Sequence, residues 1–278
     1  MISGAPFTLR VEAEEDLRTF LPDHWEEYLA RGDARETVLL RIGKTRDLDG
    51  LTCADGWSLC PVGGKEQAVF AASGKPLFAV DFSRAPSEVG VLVRRKLGTD
   101  VRLGMQFGLL TALHRTCVGL HGVTLRCEGQ TVILSAQSGT GKTTLSRLLE
   151  RFAGARVLNG DFALLSCGEE GVMFEPTPFC GSSGICACER VRVDRVVFLS
   201  QAKENVWREA GVREAVVSLM SNTFVPPFDA RMRGCVQEGV ARTAAMLRVS
   251  GYAFAPTGEA ALLFRDMLRG ERPGAGTA

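Results

Sequence analysis

Short, largely apolar runs of strand length, separated by turn residues, mark about the first 80 residues of the chain. Phe7–Val11, Thr37–Ile42, Ala68–Ala71 and Leu77–Phe82 are the expected strands, and a helix is expected over Asp23–Arg31. Arg31-Gly32-Asp33 and Val62-Gly63-Gly64-Lys65 punctuate them as turns. From Ser87 to Leu120 the spacing lengthens. Val89, Leu92 and Val93, followed by Leu103, Met105, Phe107, Leu109, Leu110 and Leu113, predict two helices.

Between His121 and Cys127 the period returns to two, with Val123, Leu125 and Cys127 inward and Thr124 and Arg126 outward. The turn Glu128-Gly129-Gln130 then leads into apolar Thr131–Ser135, so the two runs should pair as a hairpin. Downstream the pattern predicts strands at Ala155–Leu158, Phe162–Cys167, Val172–Phe174, Val193–Leu199 and Tyr252–Phe254, with a loop from Glu175 to Cys188. Helices are expected at Val212–Ser221, Asp229–Leu247 and Gly258–Arg269. The organisation predicted is an α+β region over 1–86, an α/β domain with a mixed sheet over 87–270, and a tail over 271–278.

Composition narrows the class without naming it. The 278 residues are 45% hydrophobic, enough for a substantial core. Thirty-three basic residues face 32 acidic ones, a net charge of +1, so no bulk field draws the chain to nucleic acid or to an anionic membrane. No apolar run reaches the roughly 18 residues of a membrane span, and the first residues lack the order of a signal peptide, so a cytoplasmic location is the default expectation. The cysteines number nine, and they suit reduced thiols. Cys180, Cys186 and Cys188 cluster, but no fourth zinc ligand is evident. Trp25 and Trp57 read as core or edge aromatics rather than a ligand cage.

The chemistry concentrates in one stretch. Ala136-Gln137-Ser138-Gly139-Thr140-Gly141-Lys142-Thr143-Thr144 follows the strand and opens a helix whose stripe is Leu145, Leu148, Leu149 and Phe152. That is the context of a phosphate-binding loop, with ATP and Mg²⁺ as the expected ligands. Gly139 and Gly141 let the backbone curl so that amide groups, from Ser138 onward, point at phosphate oxygens. Lys142 supplies a cation for the transferring phosphate and the Thr143 hydroxyl suits Mg²⁺, with Thr144 beside it at the helix N-terminus. Ala136 replaces the first glycine of the usual pattern, which alanine tolerates at negative φ. A ligand-free Gly/Ser/Thr turn is the competing reading.

Phosphoryl transfer also needs a carboxylate beside this loop. Val193–Leu199 ends in Ser200-Gln201, which offers none, whereas the strand before Asn159-Gly160-Asp161 ends in Asp161. Asp161 is therefore the candidate acid-base and metal-site residue, against the plainer reading of a turn aspartate.

In this order the motifs resemble the HPr kinase/phosphorylase family and its smaller relatives associated with peptide modification, which share a fold with phosphoenolpyruvate carboxykinases. Leu120-His121-Gly122-Val123 is similar to that family's His-Gly pair, the Ser138-Gly139 dipeptide to the interior of its loop, and Pro178-Phe179-Cys180-Gly181-Ser182-Ser183-Gly184 to its phosphate-side loop. The resemblance implies that Asp161 is the base toward a serine hydroxyl and a metal ligand, and that His121 lies near the reacting phosphates. It also implies an acceptor that is a peptide or small protein, and makes a homo-oligomer unsurprising. Gly160 stands where the family has the first of two aspartates; the family's acidic residue near the later loop is not evident, a role left to Glu175 or Glu189, and Arg231 or Arg233 would serve as its late arginine. The expected activity is ATP-dependent serine phosphorylation. The alternative is a nucleotide-binding accessory protein with weak or no transfer.

Overall fold

The computed structural model describes residues 8–13, 37–94 and 98–270. Phe7, the helix expected over Asp23–Arg31, Trp25, the Arg31-Gly32-Asp33 turn and the tail over 271–278 lie outside them. By contacts the chain divides into two compact units, Met1–Cys117 with Val225–Val236, and Val118–Phe224 with Gln237–Ala278. Both are mixed α/β. Among the described residues no helix is long and apolar enough to cross a membrane.

The first unit is built on strands β1 (Thr8–Ala13), β2 (Thr37–Lys44), β3 (Gly56–Val62), β4 (Lys65–Ala72), β5 (Lys75–Asp81) and β6 (Glu88–Val93). They form one sheet in the order β1-β2-β6-β5-β4-β3. β1, β2 and β6 run parallel, and the rest pair antiparallel. Helix α1 (Thr99–Ala112) packs on one face. It comes close because Gly104 and Gly108 carry no side chain. A Cβ at Gly104 would lie 2.9 Å from a Val91 methyl, and one at Gly108 would lie 2.7 Å from a Leu40 methyl. On this face Trp57, Phe70, Phe78, Phe107 and Phe228 form an aromatic cluster, so Trp57 is a packing residue.

One helix predicted from the sequence is a strand. Val89, Leu92 and Val93 have helical spacing, yet the buried residues here are Val89, Val91 and Val93, which alternate along β6. Three strands went unpredicted, among them the two-residue β12 (Val191–Arg192). β3 carries Pro61, which an edge strand tolerates, and β14 (Val206–Glu209) is a short, charged edge of the second unit's sheet.

The second unit holds β7 (Cys117–Cys127), β8 (Gln130–Ser135), β9 (Arg156–Asn159), β10 (Phe162–Gly168), β11 (Gly171–Glu175), β12 (Val191–Arg192), β13 (Arg195–Gln201), β14 and β15 (Arg248–Phe254). Their order is β12-β11-β10-β7-β8-β13-β15-β14, with β9 also pairing to β7. The expected β7–β8 hairpin forms, with a register running from Gly122 opposite Ser135 to Cys127 opposite Gln130. β8, β13 and β15 are parallel.

Helices α2 (Lys142–Ala153), α3 (Val212–Ser221), α4 (Ala230–Met246) and α5 (Gly258–Arg269) complete the chain. Leu145 and Leu149 of α2 share a core with Ala260, Ala261, Phe264 and Leu268 of α5 and with Val132, Leu134, Tyr252 and Phe254 from the strands. Two details correct the sequence reading. Thr124, assigned to the outward face, is fully buried, and Phe152, assigned to the buried stripe, is 40% exposed. Leu148 is only partly buried at the edge of that core.

Candidate functional site

The site is organised by where β8 stops. Its last residue, Ser135, hands the chain to the loop Ala136–Gly141, and α2 begins at Lys142. Gly139 (φ 81°) and Gly141 (φ 106°) take the left-handed region that lets the loop curl. Ala136 is buried and is not among the non-glycine residues with positive φ, so the missing glycine costs this loop no strain. Ser138 and Gly139 are exposed and Thr140 is half-buried, while Thr143 and Thr144 present exposed side chains on the first turn of the helix. Leu145 N donates to Gly141 O at 2.9 Å, leaving the preceding amides outside the helical ladder.

Lys142 folds inward. It is 8% exposed, and its Nζ donates to Ala136 O at 2.8 Å and to Gln137 O at 3.2 Å, two carbonyls of its own loop. Burial pulls its pKa below the ordinary lysine value, partly opposed by the Asp161 carboxylate. An open cavity of about 490 Å³ adjoins the loop, lined by Gln137–Thr140 and by Leu199, Ser200 and Gln201 at the end of β13. As the sequence requires, the β13 end offers a hydroxyl and an amide rather than a carboxylate. Gln201 Nε2 reaches Gly139 O at 3.5 Å.

The strand beside the loop brings in His121. Gly122 pairs with Ser135, and Ser135 Oγ donates to His121 O at 2.8 Å, which ties the histidine to the point where the loop starts. Glycine is needed at 122, because a Cβ there would sit 2.8 Å from Leu134 O. Gly122 N also donates to Asp161 O at 2.9 Å, so β7 bridges the loop and the aspartate. His121 Nδ1 lies 3.6 Å from Asp161 Oδ1, both side chains being partly exposed. Burial and the Lys142 charge lower the His121 pKa, against the pull of Asp161, which favours the neutral imidazole near neutral pH. Lys142, His121 and Asp161 thus form one electrostatic neighbourhood although 40 positions of sequence span them.

Asp161 is held by a residue to which the sequence reading gave no role. Asn159 is fully buried at the end of β9. Its Oδ1 accepts from Asp161 N and Phe162 N, each at 3.0 Å, and its Nδ2 donates to Phe179 O at 3.1 Å and Thr177 O at 3.4 Å. One amide thereby joins the aspartate turn to the loop over 178–184. The available signal was the Asn-Gly-Asp sequence, since asparagine bonds to backbone two and three residues on.

That loop closes on Gly160. A Cβ at 160 would come 2.5 Å from Ser183 Cβ and closer still to Ser183 Oγ. Ser183 Oγ in turn donates to Cys180 O at 2.6 Å and accepts from Ile185 N at 3.1 Å. On the other side a Cβ at Gly181 (φ 58°) would come 2.6 Å from Asp161 Cγ. The space of a side chain at 160 is therefore filled by the serine loop, and a second carboxylate has no room there.

The two glutamates expected to supply the later-loop acid are both in ion pairs. Glu175 is fully buried, receives the Ser166 hydroxyl and pairs with Arg190 Nε at 3.1 Å. Burial raises its carboxyl above the usual range despite these partners. Glu189 pairs with Arg156 at 2.9 Å and with Arg126 at 3.8 Å. Both carboxylates are committed to framework charges. Arg233 donates to Pro227 O at 2.6 Å, and Arg231 is exposed on α4. Cys180 is buried against Cys186, and burial first, then Cys186, pushes its thiol up to about 12. Among the described residues no cluster of His, Cys, Asp and Glu has the arrangement of a metal cage.

No family model matches the chain, and no curated protein matches it. Among solved structures, the Hpr(Ser) kinase/phosphatase from Coxiella burnetii is similar over 55% of this chain and 88% of that one, with 10% identity and a TM-score of 0.34.

Proposed function

We propose that the second unit is an ATP-dependent phosphotransferase that acts on a serine or other hydroxyl of a peptide or small protein. The observation that carries the reading is the convergence of Lys142, His121 and Asp161 at the end of β8, around a loop that turns through two left-handed glycines into a helix N-terminus. The donor set suits a magnesium triphosphate: loop amides and a helix N-terminus for phosphate oxygens, a buried lysine, an exposed threonine hydroxyl and one partly exposed carboxylate. In this reading Ser138–Thr144 cradle the phosphates, with Thr143 and Asp161 as the residues that would hold Mg²⁺. The ion would supply charge neutralisation at the transferring phosphate.

The chain's own groups then divide the work. Lys142, drawn from the loop carbonyls it now contacts, neutralises developing charge on the phosphate oxygens. Asp161 accepts the hydroxyl proton at its carboxylate, and Asn159 fixes the backbone from which it projects. Neutral His121 stands beside that carboxylate as an orienting partner. Within the region 87–270 proposed for transfer, this chemistry falls inside 118–224, and the N-terminal region 1–86 is proposed to recognise the acceptor or a partner.

Incubating the protein with Mg·ATP and a peptide panel tests this. Phosphate incorporation should vanish in Lys142→Ala and fall by about 10²–10⁴-fold in Asp161→Asn. Full transfer by Asp161→Asn would remove the proposed base. One observation favours the second reading, an accessory protein that binds nucleotide with little transfer: the serine loop occupies the place of a second carboxylate. Tight ATP binding without turnover on any peptide would select it.

A further inference from the structure

A second polar site lies in the first unit, on the face of the sheet opposite α1. Leu40, Phe78 and Val91 point to the helix, so strand alternation turns Arg41, Asp81 and Gly90 to the other side, where Gln67 and Lys65 also project. These residues line a cleft of about 380 Å³. Gly90 keeps its middle open, since a Cβ there would meet Asp81 Cβ at 3.2 Å.

The floor is unusual in holding an unsatisfied group. Gln67 is 4% exposed, and its Nε2 donates to Val62 O at 3.1 Å, which fixes the amide orientation. Its Oε1 has no hydrogen-bond partner. A buried acceptor left unpaired is costly, a cost that an N–H or O–H donor reaching it from the cleft would offset.

The walls are charge-balanced. Arg41, Lys65 and Arg84 face Glu12, Asp81 and Glu88. Arg41 is held twice, at 3.2 Å from Glu12 and 2.9 Å from Glu88, and Arg84 shares Glu88 at 3.1 Å. Lys65 is the loosest, 4.0 Å from Asp81 and with a side chain 67% exposed. Three carboxylates oppose a phosphate or nucleic-acid ligand, and three cations oppose a simple cation. Equal numbers of each favour a ligand with both charges.

We propose that this cleft binds an amino-acid-sized zwitterion, its ammonium group directed to Gln67 Oε1 and Asp81 and its carboxylate to Lys65 and Arg84. The site is separate from the triphosphate loop and does not depend on the activity assigned there.

Calorimetric titration of the full chain with a panel of free L-amino acids, their N-acetyl derivatives and their amides tests the assignment. At least one free amino acid should bind, and both blocked forms of it should bind on the order of tenfold more weakly or worse. Gln67→Leu should lose a similar factor while keeping a cooperative thermal transition. Lys65→Ala, at an exposed position where folding is not at risk, should also weaken binding. The proposal is overturned if no free amino acid binds, if blocked forms bind equally well, or if Lys65→Ala and a folded Gln67→Leu bind like the parent.

Discussion

The residue that most constrains the candidate site is Gly160. Ser183 occupies the volume a side chain would need, so Gly160→Asp should destabilise the fold by roughly 1–3 kcal/mol through overpacking. Ser183→Gly in the same chain should recover part of that loss, because it removes the clashing atoms. Chemical denaturation of the two variants checks both expectations, and an unperturbed Gly160→Asp would show that the loop yields freely. His121 makes a different prediction. Its folded pKa lies below the ordinary value of 6.5, as does that of buried His114, each lowered first by burial. The unfolded chain therefore takes up more protons below pH 6.5, so stability is whole above that value and falls as the pH drops toward the folded pKa values. Urea midpoints measured from about pH 8 to about pH 5 should decline, and the decline should shrink in His121→Asn. At this scale the sequence was informative about chemistry and silent about distance. The loop residues 138–144 and Asp161 were recognisable by type and spacing, but the packing of Ser183 on Gly160 and the two-sided role of Asn159 arise only when residues some twenty positions apart meet.

Element boundaries were legible where local signals agreed. α5 begins after Thr257, whose side chain accepts from Ala260 N, and stops at Gly270 in the left-handed conformation, so period and caps coincide. β6 misled because Val89, Leu92 and Val93 satisfy a helical spacing while Gly90 and the alternation of Val89, Val91 and Val93 belong to a strand. Tertiary placement decides such short apolar runs. Thr124 misled for a related reason: polarity suggested solvent, whereas β7 lies inside the sheet with partners on both sides. The close approach of α1 to its sheet gives an element-scale prediction. Gly108→Val should cost about 1–3 kcal/mol or more, since even a Cβ there would crowd Leu40 and Val91. A thermal midpoint unchanged by that substitution would contradict the packing. Asn159→Ala should loosen the loop over 178–184, seen as faster amide exchange at Phe162 and through that loop, with the β7–β8 hairpin unaffected.

At the scale of the whole molecule, the α/β class and the antiparallel β7–β8 hairpin follow from pattern, because alternating strands and amphipathic helices have few ways to bury their apolar faces. The parallel pairing of β8, β13 and β15 could not be read from pattern, since those strands are far apart in sequence. It matters for the proposed function, because it sets Ser200 and Gln201, which carry no carboxylate, beside the glycine loop, so that the proposal gives the carboxylate role to Asp161 beside His121 of β7. The central claim is that this arrangement holds a magnesium triphosphate through Lys142. Calorimetric titration of Mg·ATP into the parent protein and into Lys142→Ala tests it most directly. The account predicts saturable binding to the parent and a loss on the order of tenfold or more in the variant. No binding to the parent, or equal affinity for both proteins, would contradict it.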